Sequence, residues 1–346
     1  MPLPAYGETL DMGYFLQIKD LIERNYVYHI GEQQLIEGAI KGLFYNLDEN
    51  SDYYTKEEFD FLMEDLIGDF VGIGVYIAEE NGQIVIVDTI KNGPAHRAGI
   101  KSGDIILSID KQDIKGLSLN HVVKLIKGEE GTKVNIKVQR TENKYLNFNV
   151  KREKLRIDPV KYNIINKDIG YIKLNQFSQG SYEEVVLALK EFDKKGISNI
   201  IIDLRDNPGG FLDEVIKISK LFIPKGPIVH IKYKDYIKTY ESNLVKTKYN
   251  LRVIVNENSA SASEIFAGAV QDRKAGTVIG STTYGKATVQ QLVSLPKGDG
   301  MKLTIGEYLT PNKRNINKKG IVPDIIVENQ RDKDLQLQKA IKVLRP

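Results

Sequence analysis

The segment that most restricts how this chain can fold is Asn258-Ser-Ala-Ser-Ala-Ser-Glu264, followed by the apolar run Ile265-Phe-Ala-Gly-Ala269. It joins a β-branched stretch, residues 252–255, to an apolar helix, so a strand end and a helix start must meet at one point of an α/β layer. A helix start leaves backbone N–H groups unpaired and pointing outward, and such donors can hold a developing oxyanion beside a small hydroxyl. The same residues fit a capping box, because Ser261-Ala-Ser-Glu264 has the S-x-x-E spacing. On this segment alone, nucleophile and cap are both open.

A chain of 346 residues has room for two or three domains. Lys and Arg total 49 against 46 Asp and Glu, interleaved along the chain, which excludes a basic nucleic-acid-binding face. The absence of Cys removes disulfides and thiolate chemistry. The four histidines, at 29, 96, 121 and 230, show neither metal-ligand spacing nor an HExxH run, so no metal site is expected. A Walker A motif and a credible GxGxxG are also lacking, and no cofactor is expected. No run of eighteen apolar residues occurs, and Met1-Pro-Leu-Pro4 has neither the basic start nor the apolar centre of a signal peptide. This fits a cytosolic protein, or one whose export segment lies outside this chain.

Residues 10–26 and 32–44 carry apolar side chains at three- and four-residue steps, and Thr55-Lys-Glu-Glu58 is a capping box opening a third helix. These helices lack a fully solvated face and are too few to bury one another, which predicts homodimerisation through this region. Asp48-Glu-Asn50-Ser-Asp52 imitates the start of a calcium loop. It has Tyr53 where the loop needs Gly and Phe59 where it needs a bidentate Glu, so it is read as a turn.

From residue 68 the pattern becomes short β-runs with glycines, at 72–78, 83–89, 105–110, 133–140 and 145–151, around one helix at 118–127. Within that helix Leu119, Val123 and Ile126 are placed toward a groove, and Val122 and Leu125 toward the sheet. The run Gly93-Pro-Ala-His-Arg-Ala-Gly99 followed by Gly103-Asp-Ile-Ile-Leu-Ser-Ile109 resembles a PDZ domain. The resemblance implies that a peptide C-terminus adds as a strand beside the helix, its carboxylate held by the Gly72-Ile73-Gly74-Val75 loop. Leu119 would then select an apolar tail. Lys127, at the helix end, would contact the peptide or the neighbouring domain. The alternative is a rigid spacer with a vestigial groove.

After residue 152 the chain reads as βαβ: a strand at 169–174, a helix capped by Ser181, and an apolar strand at 197–204 ending in Asp203-Leu-Arg-Asp-Asn207-Pro-Gly209-Gly210. A buried parallel strand that ends in two glycines exposes backbone N–H groups where α/β sites usually form, although an ordinary tight turn uses the same residues. A serine nucleophile also needs a base, and no histidine has motif support. A lysine can serve if its pKa falls from about 10.4 to about 7–8, a shift worth roughly 4 kcal/mol. Lys286, in Thr-Tyr-Gly-Lys-Ala-Thr-Val289, has no adjacent charge and precedes a β-run, unlike the many lysines in charged company.

The serine stretch, the Asp-Leu-Arg-x-Asn-Pro-Gly-Gly loop and the Gly-Lys-x-Thr-Val-Gln run together resemble the carboxyl-terminal processing peptidases. The likeness extends over nearly the whole chain, from Glu37-Gly-Ala-Ile-Lys-Gly42 to Gly320-Ile-Val-Pro-Asp324. It implies an α/β, crotonase/ClpP-like peptidase core with an inserted PDZ domain and an N-terminal helical region, divided at 1–67, 68–153 and 154–346. It also implies a Ser-Lys dyad of Ser261 and Lys286, with Gln290 orienting the lysine and the N–H groups of Ala262 and of Gly209 or Gly210 as oxyanion donors. Gly210 is favoured, and Ser259 and Ser263 are the competing nucleophile candidates. Ala287 stands where the family often has glycine. The implied activity is serine endopeptidase cleavage near unstructured protein tails with free, largely apolar C-termini. The PDZ domain would bind the tail and regulate the site. The implied location is the bacterial cell envelope, with membrane proximity through an anchor not present in this chain. A non-catalytic PDZ adaptor and a crotonase-type acyl-CoA enzyme are the rival readings.

Overall fold

The computed structural model describes residues 10–156, 158–330 and 333–345. Helix α1 (Met12–Asn25) starts at Asp11, whose carboxylate accepts from the Tyr14 N–H, and α2 (Glu32–Phe44) follows. Neither contains a buried residue. Helix α3 (Lys56–Ile67) opens with the capping box foreseen at Thr55 and Glu58. Between α2 and α3 the short strand Asp52–Tyr54 pairs antiparallel with Gly300–Leu309, Tyr53 opposite Met301. The helical region is thereby joined directly to a sheet made by the last third of the chain.

The PDZ-like unit is a sheet in the order Val75–Glu80, Gln83–Thr89, Ile105–Ile109, Lys133–Thr141, Lys144–Lys151, flanked by α4 (Pro94–Ala98) and α5 (Leu119–Ile126). Ile73, Ile86, Ile109, Val122, Val134 and Ile136 fill its core. The β-run read at 72–78 is two elements. Asp69–Gly72 pairs with Glu153–Arg156 in a separate ribbon, and Gly74, at φ 76°, turns the chain into Val75–Glu80. Only glycine takes that φ freely. Ile126 is also placed differently from the groove reading. It is buried with Val122 in the core, while Leu119, Val123 and Leu125 are half-buried. An eight-residue helix has room for a narrow apolar stripe, and the turn that packs deepest claims Ile126.

The remaining chain builds a six-stranded sheet in the order Val160–Ile165, Ile169–Leu174, Asn199–Asp203, Asn250–Val255, Gly276–Gly280, Ile325–Ile326, parallel except at its first strand. Side chains alternate between two buried faces, as an apolar parallel strand requires. Ile200, Ile202, Val253 and Val255 pack with α6 (Ser181–Lys194), α7 (Leu212–Ser219) and α8 (Ala262–Asp272). Ile169, Ile201, Ile254 and Ile279 pack with α9 (Leu335–Leu344). Gly180, not Ser181, is the cap residue of α6; the Ser181 hydroxyl donates to Glu214 Oε2 at 3.0 Å.

A second sheet, with Gly226–Tyr233, Ile237–Ser242, Thr288–Ser294, Gly300–Leu309 and Asp52–Tyr54, brings the lysine-bearing segment up to the start of α8. At the opposite side, Arg205 ties the end of Asn199–Asp203 to α9. Its guanidinium donates to both Asp334 oxygens at 2.7 and 2.9 Å and to the buried Asp203. Asp334 also caps α9 by accepting from the Leu337 N–H. Asp334→Ala should therefore free the helix start at a cost of about 1 kcal/mol or more. Hydrogen exchange should accelerate over residues 335–344 and remain unchanged in the PDZ-like sheet.

Candidate active site

Ser261 stands at the helix start where Asn250–Val255 feeds α8, with φ 54° and ψ −113°. A residue with a Cβ seldom occupies that region, and holding one there costs about 1–3 kcal/mol. The strain places the half-exposed Ser261 at the tip of the turn. Its hydroxyl makes no capping bond. In the capping-box pattern Glu264 Oε2 accepts from the Ser261 N–H at 2.9 Å, and the Ser261 hydroxyl donates to no acceptor among the described residues. The neighbouring serines are fully buried and occupied. Ser259 Oγ donates to the Leu204 carbonyl at 2.8 Å, and Ser263 Oγ to the Asn207 carbonyl at 3.0 Å. Of the three serines, only Ser261 has a hydroxyl that donates no hydrogen bond among the described residues.

Glu264 is wholly buried and reaches beyond its helix. Its Oε1 accepts from Thr283 Oγ1 and the Gly285 N–H, and its Oε2 from the N–H groups of Ser261 and Lys286, the last at 2.9 Å. One oxygen thus fixes the backbone of both Ser261 and Lys286. Burial raises the Glu264 pKa, and the donors around it work against that rise. Tyr308, also buried, adds a second clasp, its hydroxyl lying between the carbonyl oxygens of Ser261 and Lys286. The capping pattern marked Glu264. The part played by Tyr308, on a distant strand, has no local sequence signal.

The Lys286 ammonium nitrogen makes no hydrogen bond or ion pair among the described residues. Burial is the main reason its pKa is lowered, followed by the positive charge of Lys302. Asp48, Glu264 and Glu49 oppose the shift. The Ser261 hydroxyl and the lysine amine do not hydrogen-bond here, and apo catalytic contacts often tighten only with substrate. Gln290 departs from the role inferred for it. Its amide nitrogen donates to Thr288 Oγ1 at 2.8 Å and Thr304 Oγ1 at 3.1 Å, and no bond to Lys286 is made.

The Asn207-Pro-Gly-Gly loop lies against the serine turn. Asn207, buried, accepts from the Ala260 N–H through its carbonyl and holds the Gly209 N–H with its side chain at 2.9 Å. Gly209 sits at φ 110°, and a Cβ there would come within 2.8 Å of Ser261 Cβ and 3.0 Å of the Ala262 nitrogen. Only glycine allows this approach. The Gly209 donor is already taken by Asn207, whereas the N–H groups of Gly210 and Ala262 have no acceptor among the described residues. That leaves the N–H groups of Gly210 and Ala262, the residues that follow Gly209 and Ser261, as unoccupied donors.

At the PDZ-like loop, the carbonyls of Ile73 and Gly74 accept from the Ala95 and Ile90 N–H groups, both within 2.9 Å, and Gly72 and Val75 flank them in the two sheets. Leu119 and Val123 sit on α5, which touches Val75–Glu80. Lys127 contacts the neighbouring N-terminal region, one of the two partners expected of it. Its amine pairs with Glu64 of α3 at 2.8 Å and lies 4.1 Å from the centre of the Phe61 ring. In this structure its contact is with the N-terminal helices.

A strained serine at a helix start, unpaired N–H donors and a half-buried lysine stand in a core that carries a PDZ-like sheet. The model of peptidase family S41 matches residues 168–327, and that of the PDZ domain matches residues 85–140. The carboxy-terminal processing protease CtpB of Bacillus subtilis is 39% identical over 336 residues, covering 94% of this chain and 70% of that protein. The protease CtpA of the same organism is 36% identical over 312 residues, covering 89% and 67%. The solved photosystem II D1 C-terminal processing protease superposes with a TM-score of 0.58 at 25% identity, covering 96% of both chains. The chain belongs to peptidase family S41, the carboxy-terminal processing proteases.

Glu264→Gln preserves volume but turns two amide protons toward groups that are themselves donors, leaving buried N–H groups unpaired at about 1–3 kcal/mol each. It should lower kcat at least tenfold and reduce the thermal midpoint, whereas Ser263→Ala should leave kcat within about twofold. Peptide hydrolysis assays and calorimetry check both.

Proposed function

We propose that this protein is a serine endopeptidase that uses Ser261 as nucleophile and Lys286 as general base to cut proteins near unstructured, apolar C-terminal tails. The observation that carries the reading is the Ser261 hydroxyl, whose proton is uncommitted among the described residues. Its residue shares the Glu264 anchor with the lysine segment, and the glycine loop lies against its turn. Neutral Lys286 takes the Ser261 proton as Oγ attacks the peptide carbonyl. The oxyanion is held by the N–H groups of Ala262 and Gly210, and the lysine proton passes to the leaving amine. Lys286 then deprotonates a water, which releases the acyl group and restores Ser261.

The PDZ domain, through the Gly72–Val75 loop, Leu119 and Val123, binds the tail and regulates the site. Lys127 supports this, because its link to Glu64 ties the end of α5 to α3. α3 in turn follows the strand paired with Gly300–Leu309. Relatives named carboxy-terminal processing proteases support the choice of tail substrates. The exposed apolar residues of α1 and α2, among them Leu16, Leu21, Ile36 and Leu43, support a homodimer through these helices. The location proposed is the cell envelope of a bacterium. Among the described residues no helix is long and apolar enough to cross a membrane.

Ser261→Ala and Lys286→Ala should each abolish cleavage of an unfolded substrate with an apolar C-terminus, while still binding its tail. The active form holds neutral Lys286, whose pKa is lowered by burial. The rate should therefore rise with pH through that pKa and level above it, at a lower pH than an exposed lysine would give. Wild-type cleavage by either variant would refute the dyad. Tail binding without cleavage by the unaltered protein would favour a PDZ adaptor instead. Light scattering should give a dimer mass, shifted to monomer by Leu16→Asp with Ile36→Asp.

A further inference from the structure

The turn Asp48-Glu-Asn50-Ser-Asp52 has no part in the chemistry above, yet it reaches the site through hydrogen bonds. Asp48 Oδ1 accepts from Thr304 Oγ1 at 3.0 Å, and Asp48 Oδ2 accepts from Ser51 Oγ at 3.1 Å. Ser51 Oγ in turn accepts from the Thr304 N–H at 2.9 Å, locking turn and strand together. The same Thr304 Oγ1 accepts from Gln290 Nε2 at 3.1 Å, and Thr288 Oγ1 accepts from it at 2.8 Å.

The polarity of this chain follows from donor counting. Asp48 accepts from Asn50, Thr304 and Ser51, which together hold it ionised against the opposing effect of burial. An ionised carboxylate only accepts, so the single proton of the Thr304 hydroxyl is committed to Asp48. The hydroxyl can then act toward Gln290 only as an acceptor. That selects the amide NH2 for the threonine side and leaves the Gln290 carbonyl oxygen turned away, with no donor among the described residues. A neutral lysine that is to take a proton from Ser261 needs its own N–H groups anchored by an acceptor, so that its lone pair faces the serine.

We propose that Asp48 and Thr304 are positioning residues for the general base: they fix the Gln290 amide with its oxygen presented to Lys286 Nζ when the site closes on substrate. The proposal rests on the Ser261–Lys286 reading. It makes a turn of the N-terminal region part of the machinery of a site assembled more than two hundred residues later in the chain. It also assigns Gln290 a role in the closed site while accounting for its partners in the structure seen here.

The charged groups acting on Lys286 are Lys302 from Gly300–Leu309, Asp48 and Glu49 from the turn, and Glu264 from α8. Asp48 favours the charged lysine. Asp48→Asn should therefore move the rising limb of the pH–rate profile to lower pH, and it should also lower the plateau because Asn can reverse the polarity of the relay. Thr304→Val removes the hydroxyl and keeps the branched shape suited to a strand. Steady-state kinetics on an unstructured fluorogenic peptide with an apolar C-terminus should show kcat down about tenfold for Thr304→Val with KM unchanged. Thr304→Ser should recover most of that loss.

An unaltered plateau in both Thr304→Val and Asp48→Asn overturns the proposal, as does a loss in Thr304→Val that Thr304→Ser fails to recover. Ser261→Ala and Lys286→Ala measured alongside separate the two levels. If these are inactive while Thr304→Val is normal, only the relay fails. If they remain active, the dyad itself is wrong, and the relay falls with it.

Discussion

A single buried carboxylate holds the site together. Glu264 collects donors from Ser261, Thr283, Gly285 and Lys286, so the helix start and the segment carrying the lysine cannot drift apart without stranding an acceptor away from water. A carboxylate is suited to this because it accepts several bonds and donates none. Its position at the third residue of α8 also explains why the Ser261 turn tolerates a backbone conformation that is unfavourable by itself. The strain is offset by the Glu264 contacts, the Tyr308 clasp and the Asn207 loop. The result is a hydroxyl whose proton is uncommitted among the described residues.

Much of this was legible because it is local. The alternation of serine and alanine ahead of an apolar helix, the strand ending in Asn-Pro-Gly-Gly, and a lysine flanked by glycine and a β-run are all short stretches whose chemistry follows from residue type. The lone Ser261 hydroxyl could not be singled out from residues alone. Ser259 and Ser263 also border alanine in the same alternating run, and only the positions of the Leu204 and Asn207 carbonyls show that their hydroxyls are occupied. Tyr308 and Thr304 belong to a strand that reads as an ordinary hairpin arm, and their relation to the site depends on sheet pairing. The run 72–78 misled for a different reason. Its residues have uniform β character, and the change of sheet at Gly74 is a matter of φ rather than of side-chain pattern.

The N-terminal region is more than an appendage. Its helices leave apolar side chains uncovered, its short strand completes a sheet of the peptidase core, and its turn is bonded to Thr304 beside Gln290. Through Glu64 and Phe61 it also meets Lys127 at the end of the PDZ helix. The end of α5, the N-terminal region and the strand Gly300–Leu309 are thus connected by direct contacts. Under the proposed function, this is the route by which a tail bound beside α5 would act on the site.

The central claim, that Ser261 is a nucleophile activated by Lys286, is tested most directly by covalent labelling. Incubation of the protein with an alkyl fluorophosphonate, followed by proteolysis and mass spectrometry, should find the phosphonyl group on Ser261. Labelling should accelerate as pH rises and be lost in Lys286→Ala. A label on another residue, or unchanged labelling of Ser261 without Lys286, would contradict it.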